Sequence, residues 1–434
     1  MKHTITTIGC LLLLGLQAAC AQSRSENSQN SLSWREYFPD THLQALMDSA
    51  LAANSDIRTA RLALEQSEAQ LRSAKLAYLP SFALNPSGTY SKTGDAASSL
   101  SYNLPLNMNW ELNFAGKQKF EKEAAASKML LSGEELRAVQ IQILASVANT
   151  YYTLVMLDRQ LEITKESVRN QEKSLETVKA LKEAGDENEI AVNQTQAQLQ
   201  ATVNSLKDLE LQIVKTETSL SLLVNRTPDS IERSSWDEVA GINLAPSMQV
   251  SLESLSSRPD VLAAEYAMRA AFSNEKVARS EFYPSLSISG SAGWTNNIGE
   301  VVNPAQFLIN AIGSLAQPLF RKGTLRANLK VAQAQREQAR ISFEKALLTA
   351  GGEVRDALAE CEISKAKEAA RTLQLEASRN AWKNSSTMMQ YSSVTYLEVL
   401  TAQSSYLSSQ LSQVADWLEY QQGLVNLYKA VCPL

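Results

Sequence analysis

The chain has 434 residues, of which 44% are hydrophobic and 20% charged, and its formal net charge is −5. This length allows two or three domains, and the lack of a basic cluster argues against nucleic acid as a partner. Only His3 and His42 are histidines, which nearly excludes histidine-dependent catalysis and His-ligated metal sites. The sequence therefore predicts no enzyme and no cofactor.

Residues 1–19 are typical of an export signal, with Lys2 ahead of an apolar run that is too short to span a bilayer. The stretch 16–20 resembles a bacterial lipobox, in which Cys20 is lipidated and becomes the first residue, although Gln17 replaces the usual leucine. An ordinary signal cleavage site at 19–21 is the alternative and would remove Cys20. We favour lipidation of Cys20, which makes the polar stretch 20–33 a lipid-anchored linker.

A first repeat is predicted over residues 34–230, and it opens with a connector and short helix (34–53) and a helix (56–79). A β-hairpin at 80–114 follows, interrupted by Pro86. Its second strand, 101–114, alternates apolar even positions with polar odd positions, as tilted membrane strands do. The polar positions are predicted to face a lumen: Asn103, Asn107, Asn109, Glu111 and Asn113.

A long helical hairpin is predicted at 117–226, because proline is absent between Pro105 and Pro228. Apolar residues recur every seven positions on both arms, which is the pattern of a left-handed coiled coil. A turn is predicted at 185–188, and the first arm would be about 100 Å long at 1.5 Å per residue. The repeating residues are Leu154, Leu161, Val168 and Leu175, then Val192, Leu199, Leu206, Ile213 and Leu220.

The chain then repeats its own pattern after an equatorial connector at 231–257. The second repeat, 258–434, contains a helix that opens at Arg258-Pro259-Asp260, a β-hairpin at 284–320 and a helical hairpin at 323–430. Its turn is predicted near 384–393. Gly323 matches Gly116 at an offset of 207 residues.

Two hairpins supply four strands, which cannot close a barrel, and an open strand edge is not tolerated in lipid. The protomer must therefore oligomerise. A dimer would have eight strands and a trimer twelve, and a wide lumen favours the trimer. The predicted fold class is an internally duplicated α+β membrane protein. It combines a long α-helical coiled-coil barrel with a transmembrane β-barrel of four strands per protomer and twelve per trimer.

Three motifs resemble the TolC-type outer-membrane efflux factors, in the lipoprotein branch that serves resistance-nodulation-division (RND) pumps. They are S-R-P-D-V-L-A-A-E at 257–265 with A-R-S-E-F-Y-P-S-L at 278–286, W-E-L-N at 110–113 and Y-L-E-V-L-T-A-Q-S-S at 396–405. The resemblance implies a homotrimer in the outer membrane with its helices in the periplasm. It also implies a periplasmic adaptor and an inner-membrane RND pump as partners, and export of small molecules as the function.

The same resemblance suggests site residues at the helix ends. Leu397 matches a position that forms an apolar collar, and Glu398 follows it. Thr401 and Ser404 stand where the family has aspartate and arginine near its constriction, which weakens any prediction of a carboxylate ring there. Adaptor contacts are expected at both hairpin ends: Leu181, Ala184 and Gly185, with Ser392, Ser393 and Val394.

Two other functions fit parts of the pattern. A type I protein-secretion outlet would have the same fold with a different pump, although the motifs resemble the efflux branch. A periplasmic coiled-coil structural lipoprotein without a pore would explain the helices alone. The fourteen-residue alternation at 101–114, matched by 284–320, argues against that second alternative.

Overall fold

The computed structural model describes residues 34–92, 94, 99–241, 255–295, 306–389 and 395–431. The helices and strands in these ranges follow the predicted order. The helices are α1 (Trp34–Tyr37), α2 (Thr41–Ala53), α3 (Ser55–Leu76), α4 (Lys117–Ala184), α5 (Glu189–Leu223), α6 (Trp236–Ala240), α7 (Pro259–Ser280), α8 (Thr324–Met389) and α9 (Tyr396–Val431). The strands are β1 (Ser81–Leu84), β2 (Ser87–Ser91), β3 (Ser99–Asn113), β4 (Ser285–Thr295) and β5 (Gln306–Ala316).

The chain divides into two compact units, and each unit takes segments from both sequence repeats. The helical unit consists of Met1–Arg58, Arg137–Arg258 and Thr349–Leu434. The strand-bearing unit consists of Thr59–Leu136 and Pro259–Leu348. The long helices α4 and α8 each contribute residues to both units. Duplicated sequences therefore fold together, rather than each repeat forming a domain of its own.

The strand-bearing unit holds one antiparallel sheet in the order β1–β3–β4–β5, and β2 also pairs with β3. β1 and β2 occupy one strand position, since both lie along the same side of β3 and are separated at Asn85 and Pro86. Proline has no backbone N–H for the ladder, which explains the break. The sheet thus has the four strand positions expected from the sequence.

The long helices α4 and α8 both start immediately after a sharp turn made by a glycine. Gly116 has φ of 74° and Gly323 has φ of 81°, a region that side chains with a Cβ rarely adopt. The backbone N–H groups of Phe120 and Ala327 then donate to the carbonyls of these glycines at 3.1 and 3.0 Å. The glycine match between the two repeats therefore reflects a shared backbone conformation.

The seven-residue repeat does mark the packed face of the helical hairpin. Leu154, Leu175, Leu199 and Leu220 are buried, and the remaining repeat positions are half-buried. At 68 residues α4 is about 100 Å long. Among the described helices, none is both long enough and apolar enough to cross a bilayer.

The predicted turn at 384–393 is wrong in its first half, because α8 continues to Met389. A run of small polar residues suggested a turn, but their hydroxyls donate to carbonyls of the same helix. Ser386 Oγ donates to Trp382 O at 2.8 Å and Thr387 Oγ1 to Lys383 O at 2.9 Å. Such bonds satisfy the side chains without ending the helix.

The segment 34–53, predicted as a connector and a short helix, forms the two helices α1 and α2, which pack into the core of the helical unit. Phe38, Leu43 and Met47 are fully buried. Tyr37 Oη donates to Leu424 O at 2.9 Å, and the Phe38 and Tyr428 rings meet edge to face at 5.3 Å. The first described residues are therefore bound to the last helix of the chain.

Asp40 joins three segments of the helical unit. Its Oδ1 caps α2 by accepting from the backbone N of His42 at 2.8 Å, and it also accepts from Ser234 Oγ at 3.1 Å. Its Oδ2 accepts from Tyr151 Oη on α4 at 2.7 Å. Burial, aided by this hydrogen bond, raises the pKa of Tyr151, which keeps the phenol protonated as a donor.

Two arginines attach the connecting segments to the helices. Arg233 binds Asp158 through Nε and Nη2 at 2.5 and 2.9 Å, and its Nη1 reaches Glu217 at 2.6 Å. The bond to Asp158 is the largest cause of the raised pKa of Arg233. The buried Arg258 donates to Glu353 at 2.6 Å and to the Ala430 carbonyl at 3.3 Å. Arg258, the arginine of the R-P-D motif, therefore links the start of α7 to α8 and α9.

Candidate functional site

One face of the sheet is polar on adjacent strands. The pairing of β3 with β4 sets every predicted lumen residue opposite a hydroxyl side chain: Asn103–Thr295, Asn107–Ser291, Asn109–Ser289, Glu111–Ser287 and Asn113–Ser285. Glu111 is exposed, whereas the Oδ1 of Asn113 accepts from Ala115 N at 3.0 Å and so helps to end the strand. These pairs make a hydrogen-bonding surface suited to contact with water, which is interrupted only where Pro105 pairs with Gly293.

The opposite face of the sheet is apolar and exposed. The same register brings large side chains together in cross-strand pairs: Phe82–Met108, Leu84–Leu106, Trp110–Ile288, Leu112–Leu286 and Leu286–Leu315. Leu106 is 47% exposed, Ile309 71% and Leu315 66%. An apolar surface of this extent is covered by lipid or protein in a stable molecule.

The first helical hairpin reverses at a glycine turn. Gly185 has φ of 84°, and Asp186 N donates back to Leu181 O at 2.9 Å, which together complete a Schellman motif at the end of α4. Asn188 then caps α5 through its side-chain oxygen. Ala184 and Gly185 are exposed and Leu181 is half-buried, so three predicted adaptor residues lie within one turn.

The second hairpin end begins α9 with a capping interaction that the sequence did not suggest. Glu398 is the third residue of the helix, and its Oε2 accepts from Thr395 N at 2.9 Å and Thr395 Oγ1 at 3.2 Å. The carboxylate therefore satisfies a backbone N–H that the helix leaves unpaired. The other predicted residues at this end, Ser392, Ser393 and Val394, lie outside the described residues.

The four residues predicted for the aperture all lie on exposed surface at the start of α9. Leu397, Thr401 and Ser404 are spaced by four and three positions, which places them on one helix face, and Glu398 adjoins them. The buried residues of the same stretch are Tyr396, Val399 and Gln403. The packed and exposed faces of α9 are therefore separated, with the predicted residues on the exposed one.

Tyr396 anchors this part of α9, a role that the sequence analysis missed. Its ring is 4% exposed and clusters with Val178 of α4 and Ala191 of α5. Burial raises the pKa of Tyr396, and a hydrogen bond with Thr195 opposes that effect. The one sequence signal was that Tyr396 is the first residue of the motif at 396–405. Within the described ranges, no group of His, Cys, Asp and Glu could hold a metal ion.

A sheet with separate polar and apolar faces, joined to helices of 66 and 68 residues, defines a class of membrane channels with long helical extensions. The chain belongs to the outer membrane efflux protein family, whose model matches residues 46–226 and 250–432.

Individual relatives agree over nearly the whole chain. The cation efflux system protein CusC of Escherichia coli (strain K12) is 28% identical over 413 residues, which cover 94% of this chain and 90% of CusC. The probable outer membrane lipoprotein SilC of Salmonella typhimurium is 27% identical over 410 residues, covering 93% of this chain and 88% of SilC. A crystal structure of CusC superposes with a TM-score of 0.84 at 26% identity, covering 93% of this chain and 95% of that one.

These similarities confirm the predicted family, the predicted fold of long helices joined to a membrane sheet, and the predicted function. The protein is an outer-membrane exit duct of a tripartite efflux system and not an enzyme. Its partners are a periplasmic adaptor and an inner-membrane pump. The outer membrane is its location.

Proposed function

We propose that three copies of the chain form the duct, with twelve strands in one barrel and twelve helical segments in one periplasmic tunnel. The main support is the four-position sheet, which has β1 and β2 at one edge and β5 at the other. Unpaired strand edges are not stable in lipid, so each edge must pair with a neighbouring copy. A trimer encloses a wide passage, whereas eight-stranded barrels fill with side chains.

Lipidation of Cys20 is part of this proposal, because the lipobox-like segment precedes it and the relative SilC is named a probable lipoprotein. Cys20 lies outside the described residues. Mass spectrometry of the detergent-extracted protein tests both points together. Native conditions should give the mass of three chains, and denaturing conditions a chain that starts at Cys20 and carries acyl groups. A two-chain mass, or a chain that starts after Cys20 without lipid, would contradict the respective point.

The exposed face of α9 formed by Leu397, Glu398, Thr401 and Ser404 is proposed to line the periplasmic aperture. Support comes from the separation of this face from the packed one, and from the family motif that these residues match. Threefold symmetry would place three Glu398 carboxylates around the opening, which attracts cations and repels anions.

Substitution of Glu398 by glutamine is expected to lower the cation preference of single channels. Glutamine keeps an oxygen that can accept from Thr395 N, so the start of α9 should remain capped while the charge is lost. Reversal potentials in a salt gradient measure the change, and Glu362→Gln, on α8, is the matched control. Unchanged selectivity in Glu398→Gln would remove this residue from the aperture.

The adaptor is proposed to contact both hairpin ends, through Leu181, Ala184 and Gly185 on one and Ser392, Ser393 and Val394 on the other. The exposed turn at Gly185 supports this proposal, because an adaptor can reach the turn without any rearrangement of α4 or α5. A cysteine at Ala184 should cross-link to the adaptor in cells, whereas one at the exposed Ser205 of α5 should not. Equal yields at both positions would argue against the assignment.

A further inference from the structure

All four connections between strands and helices leave the sheet at the same end. β3 ends at Asn113, which pairs with Ser285 at the start of β4, and Ser285 pairs with Ala316 at the end of β5. β1 begins on the same side, with Ser81 opposite Asn109. The residues that follow or precede these ends therefore form one border of the membrane face, here called the junction belt (75–79, 114–123, 275–284 and 317–330).

Each part of the junction belt exposes an aromatic side chain. Tyr78 is 40% exposed, Phe114 71%, Tyr283 56% and Phe320 84%. Exposed aromatic rings at the end of an apolar membrane face are typical of the boundary between hydrocarbon and water. The junction belt thus lies at the level of lipid headgroups, in the leaflet that faces the helices.

Positive charge is concentrated in the junction belt. It contains ten Lys and Arg against four Asp and Glu, although the whole chain is negative at −5. Four of the cations, Arg321, Lys322, Arg326 and Lys330, are exposed, and none of them forms an ion pair in the part of the chain that the structure describes. The belt therefore presents unneutralised cations to its surroundings.

This concentration of positive charge lies near the N-termini of α4 and α8, where it is unfavourable unless an anion is bound. Neither α4 nor α8 has an acidic residue in its first turn, while basic residues lie close to both starts. Cations near a helix N-terminus face the positive end of the helix dipole and destabilise it. A bound anion would relieve that repulsion.

Lysines in the belt also lie over aromatic rings. Lys122 Nζ is 5.7 Å from the ring centre of Tyr78, and Lys276 Nζ is 5.1 Å from Phe120 and 4.4 Å from Phe272. Such contacts hold the aliphatic part of lysine along the apolar surface and keep its ammonium group at the water boundary. The cations are consequently held at headgroup depth.

We propose that the junction belt binds the headgroups of anionic phospholipids in the membrane leaflet that faces the helices. The phosphate would lie against Arg321, Lys322, Arg326 and Lys330, and the acyl chains against Phe320 and the apolar face of the sheet. The combination of exposed rings with unpaired cations favours a lipid over a free anion, because a free anion gains nothing from the rings. Binding would fix the height of the barrel in the membrane.

Titration of phosphatidylglycerol into the full-length, detergent-extracted protein tests the proposal, with native mass spectrometry as the readout. The wild-type protein should prefer phosphatidylglycerol over phosphatidylcholine by about tenfold, and the preference should fall at high salt. Neutralising the four α8 cations (Arg321→Gln, Lys322→Gln, Arg326→Gln, Lys330→Gln) should remove it. The matched control neutralises four exposed cations of α4 far from the belt: Lys165, Arg169, Lys173 and Lys179, each changed to Gln.

Several outcomes would overturn the proposal. Equal affinity for the two lipids in the wild-type protein, or a preference that survives the α8 substitutions, would exclude the belt as the site. Inorganic phosphate that displaces the lipid at equal concentration would indicate a free-anion site instead. Loss of the oligomer without loss of lipid preference would identify the patch as a contact between copies. If the fourfold variant does not fold, Arg326→Gln with Lys330→Gln alone should lower the preference, since both side chains are exposed on α8, and an unchanged preference would exclude the belt.

Discussion

Changing Gly293 to alanine is expected to prevent most of the channel from assembling. A Cβ at this position would overlap the Leu104 carbonyl oxygen and lie 2.6 Å from Pro105 Cα, and both atoms belong to the backbone of the neighbouring strand. Gly293 is the direct partner of Pro105 in the β3–β4 register. Because the ring of proline restricts the backbone there, β3 cannot move aside without losing pairs on both sides.

The clash should cost at least ~3 kcal/mol, which is the upper end of the usual range for adding atoms to a well-packed site. Gly313→Ala is the matched control, since a Cβ there meets no heavy atom within 4 Å. The amount of heat-resistant oligomer in outer-membrane fractions, measured by migration before and after boiling, reports the difference. Equal oligomer yields for the two variants would show that β3 and β4 do not pair in this register.

Replacement of Asp40 by alanine is expected to destabilise the helical unit by ~3 kcal/mol. The substitution removes the cap of α2 and leaves the buried Tyr151 hydroxyl without its acceptor. Tyr151 is fully buried, and its hydroxyl donates to Asp40 Oδ2 at 2.7 Å. Alanine removes that acceptor as well as the acceptor for the first backbone N–H groups of α2. The attachment of 34–53 to the helices should weaken accordingly.

Thermal unfolding of the detergent-extracted protein, followed by helical circular dichroism, measures the effect. Asp48→Ala on the same helix is the control, because its ion pair with Arg35 is about half exposed and such pairs contribute less than ~1 kcal/mol. A midpoint for Asp40→Ala equal to that of Asp48→Ala would contradict the assigned role. Tyr151→Phe should lie between them. It removes the two hydrogen bonds of the Tyr151 hydroxyl, which donates to Asp40 Oδ2 and accepts from Ser234 N, but it leaves the cap of α2 intact.

Much of the fold could be predicted from the sequence, because the periods of apolar residues are local properties. Alternation at 101–114 predicted β3, and the seven-residue repeat predicted the packed stripe that includes Leu154 and Leu199. Duplication of the pattern predicted four strand positions. Since Gly116 and Gly323 both need positive φ, even the starts of the long helices were visible in the sequence.

For the candidate site, the sequence could predict only which face of a strand or helix is polar or apolar. It could not predict the partner of each residue. The odd positions of β3 do form one polar face, but the hydroxyl opposite each of them belongs to a strand about 180 residues away. Local periodicity decides which side of a strand is polar, whereas the choice of partner depends on the fit of distant side chains. The capping role of Glu398 likewise depends on where α9 begins.

The sequence by itself determined the type of element, the direction of each face and the membership of the family, since these follow from short-range pattern and motif. Only the tertiary structure decided which elements meet. The pairing of Gly293 with Pro105 joins the two repeats, and Asp40 joins α2 to Tyr151 and Ser234. Such contacts bring together residues more than 100 positions apart, so their selection rests on packing and hydrogen bonding in the folded chain rather than on any local pattern.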